Sequence, residues 1–285
     1  MTEATPTRKK SAQKKKAATK KLPPPVRLEM SLFAPGMSLM HRAGLGGLAC
    51  TLDHIEREVR DGRIGDDHLP GGPWQDGKPP WSIEPQRIIL EFGEPAATAE
   101  FLKRLFAIAF DLKDGLIFLP GQYGSQAPPA EVRAAIQLGI TLTMLQFGPW
   151  RKLGEITTRE IQIDGKTVPY EFKECHQYRH QNGWNDFVTK NGQLRTEPVA
   201  VTAFVNPGAI VRHSAFTSQT RISETADRLL PLYFALVGCL ALAINRGCGP
   251  LVVPEVEDLE DFIIDRPRLT PQNAMQCQVT SPGDA

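Results

Sequence analysis

The strongest local structural signal in this sequence is a β-hairpin centred on Asp164-Gly165. Ile161 and Ile163 alternate with polar residues before this dipeptide, and Val168, Tyr170 and Phe172 alternate with polar residues after it. Asp-Gly is favoured in tight hairpin turns because both turn positions need positive φ angles. The sequence therefore predicts two antiparallel strands joined by a two-residue turn.

Helical and strand patterns are mixed along the rest of the sequence. Apolar residues recur at helical spacing from Leu45 to a stop at Gly62, and further helices are predicted near residues 96–112, 130–147 and 223–245. Short apolar runs predict strands near residues 88–92, 115–119, 199–205, 209–213 and 251–256. Since no strict strand–helix–strand rhythm appears, the predicted fold class is α+β, with mixed helices, short strands and at least one β-hairpin.

The net charge of +1 conceals an uneven distribution along the chain. Residues 1–27 carry nine basic side chains and one acidic one, which leaves 24 basic and 31 acidic residues elsewhere. This segment has few apolar residues and contains Pro23-Pro24-Pro25, so it is predicted to be a disordered basic tail with a proline spacer. Its lysines, including Lys14, Lys15 and Lys16, are candidates for sequence-independent binding of nucleic acid. A solubilising extension is the alternative.

The predicted organisation is therefore the tail, an α+β body over residues 28–264 and a loose C-terminus over residues 265–285. A division of the body into two subdomains near residue 150 is left open. Five scattered cysteines indicate free thiols in a reducing compartment, which favours the cytoplasm. The apolar run from Leu229 to Ile244 is too short to span a bilayer, so it predicts a buried helix and no membrane contact.

Residues 32–48 combine a Pro35-Gly36 turn, the pair His41-Arg42 and glycines at positions 44, 46 and 47. Glycines leave room for a phosphate, a nucleic-acid backbone or another protein backbone to approach. Residues 206–220 repeat the theme, because Pro207-Gly208 leads to the pair Arg212-His213. We interpret both pairs as candidate contacts to a nucleic-acid backbone. The alternative is that both segments are structural starts of core elements.

A third candidate segment, residues 175–198, is predicted to be a polar connection. Its Cys175, His176 and His180 could be metal ligands if helical, although a fourth ligand with zinc spacing is missing. Arg179, with aromatic residues nearby, fits a surface that faces nucleic acid better. No nucleophile elbow, metalloprotease or phosphate-loop motif occurs, so we predict no catalytic residues, no cofactor and no bound metal.

Three segments together resemble a known family. LFAPGMSLMHRAGLGGLACTL, NPGAIVRHSAFTS and LLPLYFALVGCLAL are similar, in this order, to the N-terminal portion of the large subunit of type I CRISPR effector complexes (Cascade) of the MYXAN subtype. The resemblance extends from about residue 28 to residue 256. Large subunits of this kind usually continue into a helical C-terminal part, so a split or truncated subunit is the expectation here.

The resemblance implies a non-catalytic subunit of an RNA-guided surveillance complex in antiviral defence. Such a subunit would contribute to binding of the crRNA 5′ handle, to recognition of the protospacer-adjacent motif and to unwinding of target DNA. The implied partners are crRNA, target double-stranded DNA, the backbone and handle-binding Cascade subunits and a recruited nuclease-helicase. Two alternatives remain open: a metal-dependent enzyme that uses Cys175, His176 and His180, or a scaffold with a non-specific nucleic-acid-binding tail.

Overall fold

The computed structural model describes residues 26–163, 165–207, 210–211, 220–244 and 247–277. Five of the candidate contact residues lie outside these ranges. Lys14, Lys15 and Lys16 lie outside the described residues, as do Arg212 and His213. The disorder predicted for the tail therefore stays a prediction, whereas Arg27, which was grouped with the tail, belongs to a strand.

The described residues form five α-helices and a set of antiparallel strands, which confirms the α+β class. The helices are α1 (Leu39–Arg60), α2 (Thr98–Ala109), α3 (Ala130–Leu142), α4 (Ala226–Gly238) and α5 (Leu259–Leu269). The strands are β1 (Arg27–Ser31), β2 (Trp81–Glu84), β3 (Arg87–Glu91), β4 (Asp111–Lys113), β5 (Leu116–Phe118), β6 (Arg151–Ile163), β7 (Lys166–Tyr178), β8 (Val199–Ala200), β9 (Ile210–Val211), β10 (Thr220–Arg221), β11 (Ser223–Glu224), β12 (Leu240–Ala241) and β13 (Leu251–Val252).

Helices α1 and α4 pack against each other at the centre of the core. Every residue of α4 from Leu229 to Gly238 is buried, as is the α1 segment from Ala43 to Leu52. A three-stranded sheet in the order β1-β3-β2 also contributes to the core, through residues such as Met30 and Ile88, which face each other across β1 and β3. Among the described helices, none is both long and apolar enough to cross a bilayer.

The predicted hairpin is confirmed and is longer than its sequence signal. Strands β6 and β7 each contain 13 residues and pair with each other in antiparallel register, so that Ile161 lies opposite Val168. The turn between them holds Gly165 at φ +75°. The register shifts between Leu153 and Ile156. This irregularity interrupts the two-residue alternation, which explains why the sequence pattern did not reveal the first part of β6.

Several predicted boundaries are wrong. Strand β7 extends to Tyr178 and is followed by a 3-10 helix over Arg179–Asp186, where a polar connection was expected. Helix α4 ends at Gly238 rather than near residue 245, and α3 ends at Leu142 rather than near 147. Helix α5 continues across residue 265, where the C-terminus was expected to become loose.

Helix α5 is held by a fully buried arginine. Arg266 donates hydrogen bonds from Nε to the Val237 carbonyl (2.9 Å), from Nη2 to the Cys239 carbonyl (2.9 Å) and from Nη1 to the Thr270 hydroxyl (2.8 Å). The two carbonyls belong to the C-terminal end of α4, where backbone acceptors lack helical partners and a cation is favoured. The guanidinium thus joins the end of α4 to α5.

Candidate nucleic-acid interface

The candidate interface is the N-terminal end of α1, which the sequence singles out through its His41-Arg42 pair. Ser38 is the N-cap, and its Oγ accepts a hydrogen bond from the His41 backbone N–H at 3.4 Å. In return, His41 Nδ1 accepts from the Ser38 backbone N–H at 3.2 Å and lies 2.7 Å from Ser38 Oγ. Because Nδ1 is an acceptor in this capping box, the ring carries its proton on Nε2.

The fold keeps His41 inside the protein. The residue is 4% exposed, and burial together with the positive charge of Arg228 lowers the pKa of its ring to about 4. His41 is therefore neutral at physiological pH and is occupied by the helix cap. The prediction that His41 touches a nucleic-acid backbone has no support in this geometry, since a buried neutral ring offers a phosphate no accessible charge.

Arg42 points to the surface but is already paired. Its Nη2 lies 3.1 Å from Oε1 of Glu255, a residue whose side chain is 61% exposed, while the Arg42 side chain itself is 18% exposed. Its guanidinium carbon also lies over the ring of Phe33, 5.7 Å from the ring centroid. Ion pairs this exposed are weak, on the order of 0–1 kcal/mol. A polyanion could therefore displace Glu255 from Arg42.

The structure brings the flanks of the two His-Arg segments together. Glu224, which follows the second segment, has Oε1 3.9 Å from His41 Nε2. Arg228 forms an ion pair with Glu224 at 2.9 Å and donates from Nη2 to the Gly36 carbonyl at 2.9 Å. The turn before α1 and the residues just after the second segment are thus parts of one polar cluster, defined by Gly36, His41, Glu224 and Arg228.

The glycines of α1 allow close helix packing, which is the structural alternative that the sequence left open. A Cβ atom on Gly44 would come within 1.9 Å of the Pro231 carbonyl oxygen, and one on Gly47 would come within 2.3 Å of the Phe234 carbonyl oxygen. Gly46 faces the Phe262 ring of α5 in the same way. These positions make room for α4 and α5, so they are not available to a nucleic-acid backbone or a partner subunit.

Arg179 is the other predicted contact within the described residues. Its side chain is 41% exposed, and its Nη2 lies 3.4 Å from Oδ1 of Asp186. The second oxygen of Asp186 accepts a short hydrogen bond from the Tyr233 hydroxyl. Arg179 is thus positioned by a carboxylate that α4 holds in place, and it remains accessible to solvent.

The proposed metal ligands are not brought together. Cys175 is buried and His176 is exposed, as expected for neighbours on a strand, whose side chains point to opposite faces. His180 is fully buried among aromatic rings, with centroids of Phe110 and Phe204 at 5.2 and 5.1 Å. In the part of the chain that the structure describes, no group of histidine, cysteine and carboxylate side chains could hold a metal ion.

Sequence reasoning missed four residues of this region: Phe33, Glu224, Arg228 and Glu255. The spacing of Glu224 and Arg228 is a signal for an i,i+4 ion pair, which could have been found. The partnership of Arg42 with Glu255 spans 213 residues, so it depends on the tertiary fold. Phe33 lies within the quoted segment, but its exposure is visible only in the structure.

Comparison with known proteins places this region in a family. Residues 29–233 match the family model described as the DevT N-terminal domain. The chain belongs to this family. The matched range begins in β1 and ends within α4, so it contains the polar cluster and the first part of the α1–α4 interface.

One relative of this DevT-family chain is a CRISPR-associated protein. The CRISPR-associated protein Cas8a1/Csx13 of Myxococcus xanthus (strain DK1622) is 31% identical over 274 residues, which cover 93% of this chain and 45% of the relative. The chain therefore spans less than half the length of that protein. The resemblance to a CRISPR-associated large subunit, inferred from three sequence segments, is confirmed as homology.

Proposed function

We propose that this chain acts as the N-terminal part of the large subunit of a type I CRISPR surveillance complex in the cytoplasm. The observation that carries the proposal is the 31% identity to Cas8a1/Csx13 over nearly the whole chain. In this role the chain contributes to crRNA 5′-handle binding, recognition of the protospacer-adjacent motif and opening of target DNA. Its partners are crRNA, target double-stranded DNA, the backbone and handle-binding subunits and a recruited nuclease-helicase.

The proposed role is binding without catalysis. Base pairing with the guide supplies sequence specificity in such complexes, and the protein contacts backbone and the adjacent motif. We assign nucleic-acid contacts to Arg179, which is exposed, and to Arg42, whose exposed partner Glu255 a phosphate could displace, and retain Arg212, His213 and the tail lysines as proposed contacts. His41 is reassigned to capping α1.

The first test is association in the native host. We expect the affinity-tagged full chain to purify with a small RNA that carries a CRISPR repeat handle, and with the backbone subunits. Purification without small RNA and without those subunits would contradict the proposed function. Recovery of random RNA alone would instead favour the scaffold with a non-specific tail.

The second test addresses Arg42. Replacing Arg42 with alanine should weaken binding to duplex DNA and make the dependence of log Kd on log salt shallower by about 1, because one phosphate contact is lost. The matched control is Arg57→Ala. Arg57 lies on the same helix, about 22 Å from Arg42 along the helix axis. Its Nε pairs with Asp53 Oδ2 at 2.9 Å.

Fluorescence anisotropy with a labelled duplex measures both variants, and thermal melting reports their folding. Equal binding by the Arg42 and Arg57 variants would exclude Arg42 from the interface. A lowered melting temperature for Arg42→Ala with unchanged affinity would show that Arg42 has a structural role with Glu255.

A further inference from the structure

Phe33 is an exposed aromatic residue on a rigid support. Its side chain is 53% exposed, although Leu32, which precedes it, is fully buried and donates its backbone N–H to the Gln86 carbonyl at 2.9 Å. The chain thus leaves the core at Leu32 and presents the next ring to solvent. A single exposed apolar residue is common in soluble proteins, so exposure alone assigns no function.

The connection that carries Phe33 is fixed by hydrogen bonds. The Ala34 N–H donates to the Ser31 carbonyl at 3.3 Å, and the Met37 N–H donates to the Ala34 carbonyl at 3.1 Å. Gly36 adopts φ +86°, and its carbonyl accepts from Arg228 at 2.9 Å. The ring is therefore held on a short, braced turn between β1 and α1, which lowers the entropy cost of using it for binding.

A cation and a helix N-terminus accompany the ring. Arg42 lies over Phe33 at 5.7 Å from the centroid, and the first turn of α1 contains no acidic residue that would neutralise the positive end of the helix dipole. The other exposed phenylalanine in the described ranges, Phe147, packs edge-on against Trp150 at 5.1 Å and has no cation over its ring. Phe33 therefore differs from Phe147 in having a guanidinium group over its ring.

We infer that Phe33 is a stacking site for an unpaired nucleobase, with Arg42 holding the adjoining phosphate. An aromatic ring beside a guanidinium group is the combination by which proteins bind single-stranded nucleic acid with little sequence preference. The inference rests on the proposed function and deepens it, because it names the residue that would receive a base after the duplex opens. A purely apolar protein partner would gain nothing from the guanidinium at the ring.

The test compares Phe33→Leu with Phe33→Tyr in the full chain. The probe is a single-stranded oligodeoxynucleotide with aminopurine at successive positions, and an RNA of the same sequence distinguishes the two kinds of strand. Phe33→Leu should lower affinity about tenfold, as expected for loss of one stacked base, and should abolish the fluorescence change of one aminopurine position. Phe33→Tyr should retain the wild-type affinity and the fluorescence change. Phe147→Leu should have the same affinity as the wild type.

The outcomes separate this inference from the proposed function. Wild-type affinity in Phe33→Leu would overturn the inference while the chain still joins its complex. An equal loss of affinity for fully paired duplex would also overturn it, since a paired base cannot stack on the ring. Failure of the wild-type chain to bind any probe would count against nucleic-acid binding by this chain as a whole. Melting curves test whether Phe33→Leu folds, and we expect it to fold because the side chain is exposed.

Discussion

At the scale of single residues, the described part of this protein contains three histidines that the fold keeps uncharged. Burial lowers the pKa of His180 to about 3, and burial is also the main reason that the pKa values of His41 and His54 fall to about 4. His180 is the most extreme case, because both ring nitrogens lack a hydrogen-bond partner in the described structure. Such unsatisfied nitrogens are costly in a protein interior.

These pKa values predict acid sensitivity with a definite sign. In the unfolded chain the rings take up protons below about pH 6.5, whereas in the folded protein they stay neutral to about pH 4 or below. The stability from neutral histidine is therefore fully present above pH 6.5 and is lost as the pH falls. His180→Leu should reduce this loss by up to about 1.4 kcal/mol per pH unit.

Urea denaturation at a series of pH values measures the effect. His68→Leu, at a residue whose side chain is 76% exposed, is the matched control for the loss of one histidine. If the curves for wild type and His180→Leu run parallel between pH 6.5 and pH 4, the buried ring does not control the acid sensitivity.

At the scale of elements, the α1–α4 contact depends on backbone proximity. Replacing Gly44 with alanine places a methyl group 1.9 Å from the Pro231 carbonyl oxygen, so the helices must separate. We expect this overpacking to lower the free energy of unfolding by about 1–3 kcal/mol. Gly148→Ala is the control, because a Cβ atom there meets nothing within 4 Å. Denaturant unfolding of both variants gives the comparison, and equal stabilities would contradict the close contact.

Sequence patterns predicted the presence of elements better than their ends. The Asp164-Gly165 signal identified the hairpin because turn type and alternation are local properties. The ends of α4 and the presence of α5 depended on contacts far along the chain. A Cβ atom on Gly238 would lie 1.8 Å from the Ala43 carbonyl oxygen, and Arg266 contacts the carbonyls of residues 237 and 239.

The candidate site shows the same division. The location of the site was indicated by a local pattern, the His41-Arg42 pair after the Pro35-Gly36 turn, but Glu224, Arg228 and Glu255 were not found. The charge of His41 and the pairing of Arg42 could not be predicted, since burial and Arg228 together lower the pKa of His41, and Arg42 pairs with the distant Glu255. Local sequence patterns thus indicated the location of the candidate site, whereas tertiary contacts determine which of its side chains are accessible.

At the scale of the whole molecule, charge separates the N-terminal tail from the acidic remainder. Residues 1–25 contain eight basic side chains and one acidic one. Deleting them should make the dependence of log Kd on log salt shallower by about 0.9 for each tail cation that contacts a duplex phosphate. The cut spares Arg27, which pairs with Glu91 across β1 and β3.

The charge-neutral substitution of Lys14, Lys15 and Lys16 by glutamine is the companion variant and should produce part of the same change. Anisotropy titrations at several salt concentrations measure both. We expect the truncated chain to retain weaker binding through its body. Complete loss of binding on truncation would favour the scaffold with a non-specific tail over the proposed large-subunit role.

The buried guanidinium of Arg266 also sets the limits of an excisable domain. The match to the family model ends at residue 233, within α4, but the last turn of that helix and the cation that its carbonyls bind lie beyond it. A recombinant fragment cut at residue 233 would lose the Phe262 ring that covers Gly46. The end of the family match is therefore not the end of the packed core, and a fragment meant for crystallisation should extend past Thr270.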